Sequence, residues 1–226
     1  MHSSWPSWRS DRKFVPDLPL DEIELNSWDD EVVYTVCSHS TFCPSCGRRA
    51  AHSDSIIIAV DGACRNNGMI NVPQYASIGV YANEYSTYNV AERLTPRQVS
   101  ANLALTNQMA ELYAGIRGLE VAQQIHADET TELTPLKQVI IKSDSMYLVR
   151  GMTEWIFKWL ANGWVNAKGA RVVNWKLFAR LDELVKQLNG RGVEVLFWLV
   201  PREYNAEADA LANQALDDTL GYYSYY

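Results

Sequence analysis

Ser55-Ile56-Ile57-Ile58-Ala59-Val60-Asp61 is a continuous apolar run that ends in an acid. An unbroken run of this length, rich in β-branched residues, reads as a central strand buried on both faces. Gly62 and the Arg65-Asn66-Asn67-Gly68 cluster behind it mark a turn. A second run, Gln138-Val139-Ile140-Ile141-Lys142-Ser143-Asp144, repeats the pattern of apolar strand and terminal Asp. Two such strands predict an α/β sheet, and in open α/β sheets ligands gather outside the carboxyl ends of the strands.

Working outward, Ala76–Tyr81 and Tyr85–Ala91 predict two further strands in an antiparallel meander, followed by a loop over Leu94–Asn102. Leu105, Met109, Leu112, Ile116 and Leu119 recur at helical spacing, with Thr106 placed to cap the helix. His126–Pro135 reads as a polar loop. Ser145–Asn189 is helical in pattern, broken near Gly151, Gly163 and Gly169. Val193–Val200 is the last strand, stopped by Pro201, and Asn205 is placed to cap a final helix through Leu216. The order is three strands, helix, strand, several helices, strand, helix, which predicts a mixed sheet with helices on both faces. Residues 1–54 lack sustained periodicity and read as an irregular arm with a Cys/His cluster. Residues 55–217 form the main domain, and 218–226 a tail with no assigned role.

Hydrophobic residues make up 47% and charged residues 21% of the 226-residue chain, an ordinary globular balance. No apolar run is long enough to span a bilayer, so no membrane role is expected. Met1–Leu20 has no secretory apolar region. Asp11 and Asp17 disfavour a mitochondrial presequence, although Arg9, Arg12 and Lys13 leave that route open. Four cysteines are too few and too clustered for a disulfide scaffold and suit a reducing, intracellular compartment, nuclear or cytoplasmic. The net charge of −7 argues against a nucleic-acid partner when taken alone. Between Lys137 and Arg180, however, eight Lys/Arg face two acids, so that segment is +6 and the rest −13. Phosphate binding follows local potential, although a solvated lysine-rich helix face gives the same count.

Glu111 sits beside the apolar face of the predicted helix, and Asp209 one turn into the last helix. With Asp61 and Asp144 they make four acids, and carboxylates gathered in one cleft resist ionising together. A divalent cation resolves that conflict, and hard oxygen ligands suit Mg²⁺ or Mn²⁺. Two such ions, roughly 4 Å apart, can activate a water and stabilise a leaving oxygen in phosphodiester cleavage. Any one of these acids alone reads equally as a cap or a solvated turn.

Asp61-Gly62-Ala63-Cys64 with Asn67, Thr106-Asn107-Gln108-Met109-Ala110-Glu111-Leu112, Ser143-Asp144-Ser145, and Asn205-Ala206-Glu207-Ala208-Asp209-Ala210-Leu211-Ala212-Asn213 resemble the four signature blocks of type-1 ribonucleases H, in order. The resemblance covers about Ile56–Leu216. It implies a five-stranded mixed sheet flanked by helices, and an endonuclease that cuts the RNA strand of RNA–DNA hybrids. It also implies two Mg²⁺ held by Asp61, Glu111, Asp144 and Asp209, with Glu207 as the competitor for the last place. Gly151–Trp164 followed by Asn174-Trp175 is similar to the family's basic protrusion, which grips the DNA strand. This points to Lys158, Trp164, Lys168, Arg171 and Asn174, while Trp155 and Trp159 suit core packing. Asn67, Asn107 and Gln108 match positions that meet the minor groove and ribose hydroxyls, or serve as turn and cap residues. The loop Val200–Asn205 departs from many members in having no His; Arg202 there suits either a phosphate or a salt bridge with Glu203 or Glu207. The alternatives are a catalytically silent nucleic-acid-binding module or another nuclease of the same broad fold. An exonuclease of that fold usually carries Asp-x-Glu on the first strand, where this chain has Asp61-Gly62-Ala63. No protein partner is indicated, and a monomer is expected.

Cys37, Cys43 and Cys46, with His39 or His52, have the spacing of one structural Zn²⁺ site, or are three free thiols in a loop. Cys64 reads as a packing residue.

Overall fold

The computed structural model describes residues 9–27, 29–67, 74–95, 105–128 and 135–223, with side chains described as far as 217. The N-terminal stretch 1–8, Gly68 of the expected turn, most of the Leu94–Asn102 loop, the middle of the His126–Pro135 loop and the last three tail residues lie outside the described residues.

The Ile-rich run is the axis of the molecule. It lies within a 15-residue strand, β3 (Ala51–Arg65), longer at both ends than its apolar core. One edge of β3 pairs in parallel with β6 (Gln138–Ser143), which pairs in parallel with β7 (Glu194–Leu199). The other edge pairs antiparallel with β4 (Tyr75–Tyr81) along Ala59–Arg65, and β4 pairs with β5 (Val90–Arg93). These five strands are the expected mixed sheet, except that the strand expected over Tyr85–Ala91 begins only at Val90, with turns over the residues before it. Two more extend it: β2 (Val33–Val36) pairs with the first half of β3, and β1 (Glu24–Leu25) pairs with β2. Because β6 occupies the opposite edge, β2 and β4 lie end to end along one edge of β3, joined where Val33 N–H donates to the Ala82 carbonyl.

Side-chain alternation along the strands builds two cores. Ile56, Ile58, Val60, Val139, Ile141 and Phe197 face α1 (Asn107–Ala127) and α4 (Trp175–Gly190). Ile57, Ile140, Leu196 and Trp198 point the other way. On that second face the last helix, α5 (Ala206–Tyr223), lies over β4, where Ser77 donates to the Ala212 carbonyl. The helix runs past the expected end at Leu216. The stretch read as one broken helix is α2 (Met146–Arg150), a π-helical turn (Gly151–Trp155) and α3 (Ile156–Ala161). A loop then leads to α4.

The N-terminal arm differs most from expectation. Phe14, Leu18, Leu20 and Ile23 pack onto the second sheet face beside Ile140 and Trp198. Phe14 N–H donates to Phe197 O, and Phe197 N–H to Arg12 O, so the arm adds a bridge to β7. Arg12 pairs with buried Asp182 of α4 at 2.7 Å. Lys142, on central β6, is buried and pairs with Glu24 of β1 at 2.5 Å. The arm is thus a clasp over a face that α5 leaves bare. Its apolar residues are single and interrupted by Pro16 and Pro19, so they carry no period of their own and are organised by the sheet.

Candidate active site

Four acids reach one cleft of about 220 Å³ from four separate elements: Asp61 from β3, Glu111 from α1, Asp144 from the residue after β6 and Asp209 from α5. One carboxylate oxygen each from Asp61, Glu111 and Asp144 lies within 4.8 Å of the others. Asp61 is 6% exposed and Glu111 8%. Burial, with the charges of Asp144 and Asp209 behind it, pushes Asp61 up to about 7. Burial and the Asp61 and Asp144 charges push Glu111 up to about 9. Such a cluster ionises fully only when a cation offsets it.

Gly62 accounts for the approach of α1. A Cβ there would stand 2.2 Å from the carbonyl carbon of Ala110 and 2.3 Å from the amide nitrogen of Glu111, so only glycine lets the helix start lie on β3. Thr106 caps that helix, its Oγ1 accepting from Met109 N–H at 3.3 Å. Glu111 Oε1 accepts from Asn107 Nδ2 at 3.2 Å, and the Gly62 N–H also donates to this carboxylate. Its Oε2 is buried with no partner. An orphaned carboxylate oxygen aimed among two other carboxylates fits a hard divalent ion, and the donor set is all oxygen.

Asp209 stands apart from the tight trio. Its Oδ1 accepts from Arg202 Nη2 at 2.5 Å and its Oδ2 from Asn213 Nδ2 at 2.9 Å. Arg202 therefore pairs with Asp209, and neither Glu203 nor Glu207 takes that place. Glu207 is exposed and turned toward Tyr81. Asn213 closes the last signature block without an assigned role there, and its place one turn on from Asp209 is what brings its amide to that carboxylate. Asn205 also differs from its expected role. It is fully buried, its Nδ2 donates to Val60 O at 3.1 Å and to Asp144 Oδ1 at 3.4 Å, and its Oδ1 caps nothing.

The remaining expected contact residues fall in two places. Asn67 and Gln108 are exposed near the cleft, with Asn107 tied to Glu111. Trp155, Trp159, Trp164 and Trp175 form a continuous aromatic ladder with centroid spacings of 5.7, 6.3 and 6.0 Å. Trp164 is half-buried within it. Arg171 lies over the Trp175 ring at 4.9 Å, and Lys158 and Lys168 are exposed nearby. Asn174 takes a left-handed conformation (φ 59°) ahead of α4 without a side-chain cap bond. The +6 segment proves narrower than its sum, because Lys137, Lys142, Arg150 and Arg180 are paired with Asp54, Glu24, Glu154 and Glu120 or Glu183. Lys158, Lys168, Arg171 and Lys176 carry the exposed remainder.

Cys37, Cys43 and Cys46 are free thiols at the tip between β2 and β3. No three ligand atoms from these cysteines, His39 and His52 lie within 4.8 Å of one another; the acidic trio alone meets that test among the described residues. Cys64 is half-buried against the core and also lines the cleft, its Sγ donating to the Leu105 carbonyl at 3.6 Å.

A mixed sheet and two flanking helices that bring mutually repelling carboxylates into one cleft make a site fitted to a divalent metal. The RNase H family profile matches residues 53–217. Ribonuclease H1 of Rattus norvegicus is 30% identical over 172 residues, which cover 74% of this chain and 52% of the relative. Ribonuclease H of Pseudomonas fluorescens is 30% identical over 181 residues, covering 75% of this chain and 97% of the relative. The solved structure of LC11-RNase H1, isolated from compost, is 26% identical with a TM-score of 0.50, covering 74% of this chain and 99% of that one. The chain belongs to the ribonuclease H family. It spans about half the length of the mammalian relatives it matches. Among the described residues no helix is long and apolar enough to cross a membrane.

Proposed function

We propose that this chain is an endonuclease that hydrolyses the RNA strand of RNA–DNA hybrids, with 55–217 as the catalytic unit. The observation that carries the reading is the convergence of Asp61, Glu111 and Asp144 on one point, with Asp209 lining the same cleft. These four carboxylates would hold two divalent ions, Mg²⁺ or Mn²⁺, which when bound supply a water activated for attack and a Lewis acid for the leaving oxygen. The chain's own residues set the geometry. Asn107 and the Gly62 amide orient Glu111, and Asn205 holds Asp144 from beneath. Arg202, exposed and paired to Asp209, is the fixed cation at the rim and is available to a substrate phosphate. The loop from Pro201 to Asn205 offers no histidine for proton transfer.

In this reading Asn67, Asn107 and Gln108 meet the minor groove, where the 2′-OH distinguishes RNA from DNA. Lys158, Lys168, Arg171 and Asn174, with Trp164 in the ladder, take the DNA strand. The protein acts as an intracellular monomer, in the nucleus or cytoplasm. The test is cleavage of a labelled hybrid with and without Mg²⁺, beside RNA duplex, DNA duplex and single strands. Cleavage confined to the RNA of the hybrid supports the reading. Hybrid binding without cleavage in any divalent ion would instead select a silent binding module.

A further inference from the structure

The tip between β2 and β3 is the one ordered part of the arm that the catalytic reading leaves without a purpose. None of residues 37–50 is buried, and Phe42 is 54% exposed, stacked only under Arg49. Yet the tip is tied to a definite shape. Cys37 N–H donates to Ala50 O at 2.8 Å, and Ser40 bonds to Cys37 O through both its N–H and its hydroxyl. Further out, Cys43 N–H donates to Arg48 O and Gly47 N–H to Cys43 O, each at 2.8 Å, closing a tight turn around Cys43-Pro44-Ser45-Cys46-Gly47. Gly47 sits at φ 67°, which reverses the chain just after the second thiol. Ser45 Oγ lies 3.0 Å from Cys43 Sγ. A closed turn that presents two thiols three residues apart offers the ligand type and spacing that suit a tetrahedral soft or borderline cation.

We propose that this tip binds one structural Zn²⁺ through Cys37, Cys43 and Cys46, with a histidine as fourth ligand: His39, two residues beyond Cys37, or His52 on β3. The turn keeps Cys43 and Cys46 on one short loop, and because no three of the candidate ligand atoms lie within 4.8 Å of one another, metal binding draws Cys37 and the histidine onto that pair. Three thiolates and a neutral imidazole leave the site with one net negative charge, and Arg48 and Arg49 stand next to it in sequence to offset it. Thiolates select Zn²⁺ where the carboxylate cleft selects Mg²⁺, so the two sites do not compete. They are also remote: Ala51 and Asp61 are ten residues apart on one strand, roughly 33 Å at about 3.3 Å per residue. The metal therefore holds the tip in place of a core it does not have, and takes no part in cleavage.

The full chain, purified without chelator, is assayed for zinc, and Co²⁺ is then substituted and read by its sulfur-to-metal charge-transfer absorption. We expect one Zn²⁺ per chain that millimolar Mg²⁺ does not displace, and a thiolate–Co²⁺ band. That band should be lost in Cys43→Ser and Cys46→Ser but kept in Asp144→Asn, which alters only the carboxylate site. His39→Ala and His52→Ala identify the fourth ligand by which of them changes the band. Zinc near zero with all three thiols freely titrated in the native protein overturns the proposal, as does a Cys43–Cys46 disulfide in the purified chain. The zinc content, thiol titration and disulfide readouts are made on the unaltered sequence and do not depend on hybrid cleavage, so their failure leaves the nuclease reading untouched.

Discussion

The buried amide of Asn205 lies 3.4 Å from Asp144 Oδ1 while its other bond, to the Val60 carbonyl, ties it to the strand that carries Asp61. One side chain thus fixes the spacing of two acids on neighbouring strands. Replacing it with Ala frees Asp144 and strands the Val60 carbonyl. We expect about a 10–100-fold loss of metal affinity or activity, the usual effect of removing a residue that orients a ligand. The loss of stability should be about 1–3 kcal/mol. Titrating activity against Mg²⁺ separates the two effects, and an unchanged Mg²⁺ dependence would show that Asn205 serves only packing.

Asp61→Asn and Asp144→Asn should each retain the fold and abolish Mg²⁺-dependent cleavage. Asp61→Asn should also raise the thermal midpoint of the metal-free protein, since it removes a charge that burial and Asp144 already oppose. Hybrid cut at the parental rate by Asp144→Asn would remove that residue from the site.

The acidic trio makes the metal-free fold sensitive to base. Asp61 rises from 3.8 to about 7, and Glu111 from 4.5 to about 9. Both bind protons more tightly folded than unfolded, so their contribution is full below about pH 4 and is lost as pH rises through 7 and 9. Thermal midpoints of the metal-free chain should fall over that window relative to an Asp61→Asn, Glu111→Gln double variant. Saturating Mg²⁺ should flatten the difference, and its binding should release protons. A metal-free midpoint that climbs with pH relative to the variant contradicts the assignment.

Cations at the aromatic ladder and cations elsewhere in the basic segment should behave differently. Lys158→Gln, Lys168→Gln and Arg171→Gln together should weaken hybrid binding and reduce the salt slope by about 2–3, near one per lost phosphate contact. Lys137→Gln should leave the slope unchanged, because Lys137 already pairs with Asp54 at 3.2 Å. Equal effects from both sets would place the phosphate track elsewhere.

Gly62→Ala tests the contact between β3 and α1. Its methyl would meet the Ala110–Glu111 backbone at 2.2–2.3 Å, which only a shift of the helix relieves. Overpacking of this kind costs typically about 1–3 kcal/mol, and the shift also carries Glu111 off its partners. Circular dichroism melts and cleavage rates should both fall.

The buried strands carrying Asp61 and leading to Asp144 were legible because fully buried strands write themselves as unbroken apolar runs, but the expected strand end at Asp61 was not found, since Gly62–Arg65 stay paired with β4 and the turn comes only after Arg65. Helix α1 was legible from Leu105, Met109, Leu112, Ile116 and Leu119, whose period placed Glu111 beside the core. The clasp was not, since Phe14, Leu18, Leu20 and Ile23 acquire a common face only against the finished sheet. Lys142 misled the charge count for the same reason: nothing local shows that a lysine on a central strand is buried against Glu24. Asn205 sat where a cap belongs, and its long-range bond to Val60 left no trace in neighbouring residues.

The end-to-end seating of β2 and β4 along β3 has a consequence for handling the protein. Remove the arm, and the stretch of β3 around Ile56 and Ile57 that β2 covers becomes an open edge on that side. It would open within Ser55-Ile56-Ile57-Ile58-Ala59-Val60, an uncharged β-forming segment without proline, and the bare face around Ile140 and Trp198 would lie beside it. Exposed edges of this kind recruit further strands from other molecules. A chain trimmed to residues 55–217 should therefore self-associate at concentrations where the full chain does not, which size-exclusion chromatography of the two would show.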